Sequence, residues 1–162
     1  MILKSYELKK INLDIFKFIL FYGKNEGLKN DAITDLIKDK SKIYNYEEKE
    51  ILNDSNTFIE NILSKSFFEN EKIIIVKRAS DKILNIIQEL NDKNIDDVII
   101  IINTDNLEKK SRLRSIFEKN KDYICSAFYP DTEQTLSKLT YNFLKEKKIS
   151  ISSANINLIV NR

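Results

Sequence analysis

Histidine is absent from the 162 residues. Imidazole is the one side chain that ordinarily titrates near neutrality and is the commonest metal ligand. Its absence excludes His-based acid–base catalysis, Ser–His–Asp triads and His-ligated metals. A single cysteine, Cys125, excludes an internal disulfide framework and a cysteine-cluster zinc site. Cys125 lies in an apolar stretch and reads as a buried structural thiol, which implies a reducing compartment. Two glycines and one proline leave little material for linkers. Apolar runs fall far short of the ~20 residues of a membrane span. Lys17 breaks the apolar run from Ile15 to Tyr22, so no secretory signal is expected. Charge of one sign is lacking too. With 27 basic against 25 acidic side chains the net charge is +2, which gives weak support to nucleic-acid binding.

What is present is globular: 42% hydrophobic and 32% charged. A chain of this length buries roughly 70% of its extended surface and has room for one domain, or one domain plus part of a second. Apolar runs alternate with amphipathic stretches. Phe18 to Tyr22, Ile73 to Val76, Val98 to Ile102 and Tyr123 to Phe128 read as strands, with Ile43 to Tyr46 as a mixed edge strand. Between them lie a helix with Ala32, Ile33, Leu36 and Ile37 on one face and a Ser55-capped helix bearing Phe58, Ile59, Ile62 and Leu63. A Ser80-capped helix with Ile83, Leu84, Ile87 and Leu90 follows, then a charged helix from Leu107 to Asn120. Pro130 ends the last strand, and Asp131 with Gln134 predicts a capping box for a helix through Lys145. Strands alternating with helices predict a parallel sheet, and two pure Ile/Val runs predict strands covered on both faces. The expectation is a three-layer α/β domain over residues 1–140. A helical tail over 141–162 carries the start of an apolar stripe at Ile156, Ile159 and Val160, as in a truncated second domain.

A glycine turn between the first strand and helix is where such a fold would hold a nucleotide. The turn reads Gly23-Lys24-Asn25-Glu26-Gly27-Leu28-Lys29. A phosphate loop needs four residues between its glycines, then Lys and a hydroxyl for magnesium. Here there are three, Leu28 stands in the lysine position, and no Ser or Thr follows. Glu26 puts negative charge where phosphate would sit. The carboxylate that would bind magnesium is missing as well. Lys77-Arg78 follow one inner strand, and Asp105, after Asn103-Thr104, reads as a turn residue. No catalytic residue, cofactor or metal is assigned: the architecture is of the nucleotide-binding type with a degenerate site.

Two surface candidates remain. If the helix carrying Phe58 and Ile62 continued, Phe67 and Phe68 would lie roughly 110° and 150° off its apolar stripe, on opposite sides. Two rings there, beside Leu63 and Ser66, can anchor a partner's apolar pocket. The other reading, which these residues alone favour, is that the helix stops at Ser66 and both rings turn into the core. The charged helix buries Leu113, Ile116 and Phe117 and presents Lys109, Lys110, Arg112 and Arg114. That small basic face could meet phosphates or an acidic neighbour, or be an ordinary solvated face whose charge nearby Glu and Asp offset.

Taken in order, Phe21-Tyr22-Gly23 with Glu26-Gly27-Leu28, Ser66-Phe67-Phe68 before a basic-flanked Ile strand, Asp105-Asn106-Leu107 with Lys109 to Arg114, and Tyr129-Pro130-Asp131 resemble the delta subunit of the bacterial DNA polymerase III clamp loader. The resemblance implies an AAA+-like, P-loop-type domain followed by the start of a small helical domain, as in an N-terminal fragment. It implies a cytoplasmic, non-catalytic accessory subunit of a DNA-directed DNA polymerase, a nucleotidyltransferase complex. Such a subunit binds the ring-shaped sliding clamp, the beta subunit, and helps open it. Its partners would be the clamp, other clamp-loader subunits through regions outside this chain, and DNA only within the assembled complex; no membrane is involved. The family's apolar pair, which inserts into a hydrophobic cleft of the clamp, maps by position to Phe67 and Phe68, with Phe where the first residue is commonly Leu. The alternatives are a divergent phosphate-loop ATPase or kinase and a DNA-binding module.

Overall fold

A computed structural model describes residues 1–37, 42–64, 72–93, 95 and 97–161. Five strands, β1 (Phe18–Tyr22), β2 (Ile43–Glu47), β3 (Lys72–Lys77), β4 (Val98–Thr104) and β5 (Tyr123–Ala127), form one parallel sheet in the order β2-β3-β4-β1-β5. The central strands β1, β3 and β4 are buried almost throughout, as apolar runs without polar alternation require. β2 lies at one edge, where its mixed character fits. At the other edge Ile2 bridges Cys125, with Leu3 N–H donating to the Cys125 carbonyl and Cys125 N–H to the Met1 carbonyl.

The helices α1 (Glu26–Leu36), α2 (Glu48–Asn53), α3 (Ser55–Leu63), α4 (Leu84–Asp92) and α5 (Arg112–Lys119) complete the layers. One face of the sheet packs Leu20, Ile74, Ile100 and Ile102 against Ile51, Phe58, Ile62, Leu84, Ile87, Leu113 and Phe117. The opposite face packs Phe21, Ile75, Ile99, Ile101 and Phe128 against Leu8 and Ile33. The architecture is the expected three-layer parallel α/β fold.

Several boundaries differ from the sequence-based expectation. Asp54, not Ser55, caps α3: its side chain accepts the Thr57 N–H. Ser80 opens a short 3₁₀ turn, Asp81–Ile83, that runs into α4. α5 begins at Arg112 rather than Leu107. α2 and the 3₁₀ segment Ser5–Lys10 carry no strong apolar period and were not expected.

The chain divides into two compact units, Met1–Phe128 and Tyr129–Arg162. The second holds α6 (Glu133–Glu146) and α7 (Ser153–Val160). Thr132, not Asp131, caps α6, and Thr135 is its reciprocal partner. Lys148, at a φ of 58°, ends α6 as glycine usually would: its N–H reaches the Lys145 carbonyl and that of Ile149 the Leu144 carbonyl.

Candidate functional site

The first turn of the fold is closed by the protein's own groups. Gly23 has a φ of 126°, and a Cβ there would lie 2.1 Å from the Phe128 carbonyl oxygen. Only glycine lets the segment after β5 pass this close. The Gly23 N–H donates to the Asp105 carbonyl and the Asn25 N–H to the Phe128 carbonyl, each at 3.3 Å. The Glu26 and Lys29 N–H groups donate to the Lys24 and Asn25 carbonyls, and the Leu28 N–H to the Asn25 side-chain oxygen. The Gly23, Asn25, Glu26 and Leu28 N–H groups are donors of the kind a phosphate loop would aim at its ligand.

Lys29 completes the closure. It is 0% exposed, and its Nζ donates to the Thr104 carbonyl at 2.6 Å and pairs with Glu26 at 2.5 Å. A buried ammonium persists only when paired and hydrogen-bonded. The motif's spacing sets Leu28 in the lysine position, and Lys29 stands one residue on. Its one sequence signal was the Glu26–Lys29 spacing of three.

The ends of β3 and β4 are equally occupied. Thr104 Oγ1 donates to the Ala79 carbonyl. Asp105 accepts the Asn106 N–H at 2.8 Å. Arg78, at a φ of 54°, sends its N–H to the Asn103 carbonyl, and its guanidinium lies 3.4 Å from Glu47. A bowl of about 430 Å³ here is lined by both signs of charge, including Glu26, Glu47, Lys77 and Asp105.

The basic candidates are dispersed rather than arrayed on one helix face. Lys109 and Lys110 precede α5, and Lys110 pairs with Glu108 at 2.9 Å. Arg114 turns inward: it bonds Glu118 at 2.7 Å, donates to the Leu107 carbonyl and stacks 5.0 Å from the Tyr22 ring. Arg112 and Lys109 are exposed. The start of α5 is set by Asp81, whose carboxylate accepts the Ser111 hydroxyl and the Arg112 and Leu113 N–H groups. Desolvation pushes this carboxyl up. The Leu113 and Arg112 N–H groups, with the Ser111 hydroxyl, outweigh it and hold Asp81 below the usual carboxylate range. No local signal in the sequence marks this contact, because its partners lie 30 or more residues apart.

Cys125 is buried in β5. Burial first, and Glu118 second, push its thiol up to about 12, the signature of an inert structural thiol.

Ser66, Phe67 and Phe68 lie outside the described residues, and the fourth member of that candidate site, Leu63, is the last residue of α3, packed in part against the core. The helix ends there, with Ser64 extended at φ −66° and ψ 101°. A groove of about 280 Å³ opens beside this end of α3, lined by Tyr44, Tyr46, Phe58, Ile62, Ser64 and Lys72. Tyr46 and Phe58 meet edge to face in it, with ring centroids 5.2 Å apart.

The model of the family described as DNA polymerase III, delta subunit, matches residues 19–128. The chain belongs to the DNA polymerase III delta subunit family. The match covers most of the chain, and the phenylalanine pair falls inside it. Among solved structures, the delta-family chain is similar to the Bacillus subtilis DNA clamp loader delta protein YqeN. The TM-score is 0.66 at 12% identity, over 96% of this chain and 50% of that one. It is also similar to the replication initiator DnaA, bound in that structure to AMPPCP and single-stranded DNA. There the TM-score is 0.59 at 19% identity, over 96% and 55% of the two chains. Thermotoga maritima RuvB gives a TM-score of 0.57 at 15% identity, over 98% and 53%. These likenesses establish an AAA+-like fold. The chain spans about half the length of these proteins. No curated protein matches it. Among the described residues no helix is long and apolar enough to cross a membrane, and no group of three or more His, Cys, Asp or Glu side chains could hold a metal ion.

Proposed function

We propose that this delta-family chain is the clamp-binding part of a clamp-loader subunit in DNA replication. It grips the sliding clamp through Phe67 and Phe68, flanked by Leu63 and Ser66, and favours the opened ring. The observation that carries the reading is the closed first turn. An AAA+-like sheet whose first turn spends its lysine and four of its N–H groups on the protein's own oxygens is a scaffold rather than a nucleotide engine. That supports an accessory subunit of the polymerase holoenzyme without catalysis of its own, acting in the cytoplasm beside other clamp-loader subunits. On this reading the clamp-binding domain lies within residues 1–140, and residues 141–162 belong to the opening of a small helical domain.

The mechanism is differential binding. An apolar wedge can shift the clamp between closed and parted forms only by its difference in affinity for the two. No bond is made or broken. Exposed Arg112 and Lys109 leave room for phosphate contacts within the assembled complex, while Arg114, held by Glu118 and the Leu107 carbonyl, is drawn out of the basic face.

The test is capture of the cognate sliding clamp by the wild type and by the Phe67→Ala/Phe68→Ala double variant. The wild type is expected to bind and the variant to lose at least ~30-fold in affinity, since buried aromatic anchors each carry about 1–2 kcal/mol or more. Equal capture by both removes the pair as the site. Absence of binding by the wild type removes the reading.

A further inference from the structure

We draw no further inference here: the strongest candidate, the aromatic groove that Tyr44, Tyr46 and Phe58 line beside the end of α3, carries nothing because nothing in the structure shows what covers it.

Discussion

At the carboxyl edge of the sheet, the starts of α1 and α5 draw their partners from within the protein. α1 begins under the Phe128 carbonyl and the Lys29 ammonium, and α5 begins on the Asp81 carboxylate. On the β2 flank the surface is left open: Tyr44 stands partly exposed beside a groove that borders the end of α3. The same fold thus spends its polar groups on itself in one place and leaves aromatic surface unspent in another. Binding energy is available only where internal partners have not consumed it. The comparison therefore moves the candidate function from the nucleotide position of the fold to its flank.

Substitutions at the closed edge test the first half of that comparison. Gly23→Ala carries the largest expected effect, a loss on the order of 4 kcal/mol, because the added carbon meets a backbone carbonyl and the φ is hostile to any side chain. Urea unfolding reads it, and a variant as stable as wild type would mean the turn is not clamped by Phe128. Lys29→Met comes next, at ~2 kcal/mol, from a buried Thr104 carbonyl left without its donor. If instead melting is unchanged, the lysine is dispensable to the closure.

Asp81→Ala is the smallest, about 1 kcal/mol at neutral pH from loss of the α5 cap. Its sign with pH follows from the lowered carboxyl. The ionised form is favoured in the folded protein, so its contribution is full above the unfolded value of ~3.9 and fades as pH falls through the lower folded value. The gap between wild type and variant should narrow as pH falls through the lowered folded value, whereas a gap that persists unchanged into acid would assign the cap to the Ser111 hydroxyl rather than the charge.

Much of the frame was legible from the residues. β1, β3 and β4 are runs of Ile, Val, Phe and Leu without polar alternation, and only a doubly covered parallel sheet accepts such runs. The failed phosphate loop was also legible, since spacing, lysine and hydroxyl are local. What replaced the ligand was not. Lys29 looks like any helix-surface lysine until the fold brings Thr104 above it, 75 residues on. Asp81 looks like a first-turn acid of its own helix until α5 arrives. The charged stretch from Leu107 read as one helix because its composition is helical, whereas the cap at Ser111 is fixed by that distant carboxylate. The aromatic groove escaped for a related reason: Tyr46 meets the Phe58 ring only once the fold brings β2 beside α3.

The nucleotide position of this fold has its lysine and much of its turn committed to the protein's own groups. Calorimetric titration of the wild-type chain with ATP and magnesium tests it most directly. The account predicts no binding heat up to millimolar ATP and no rise in melting temperature. A micromolar isotherm would contradict it.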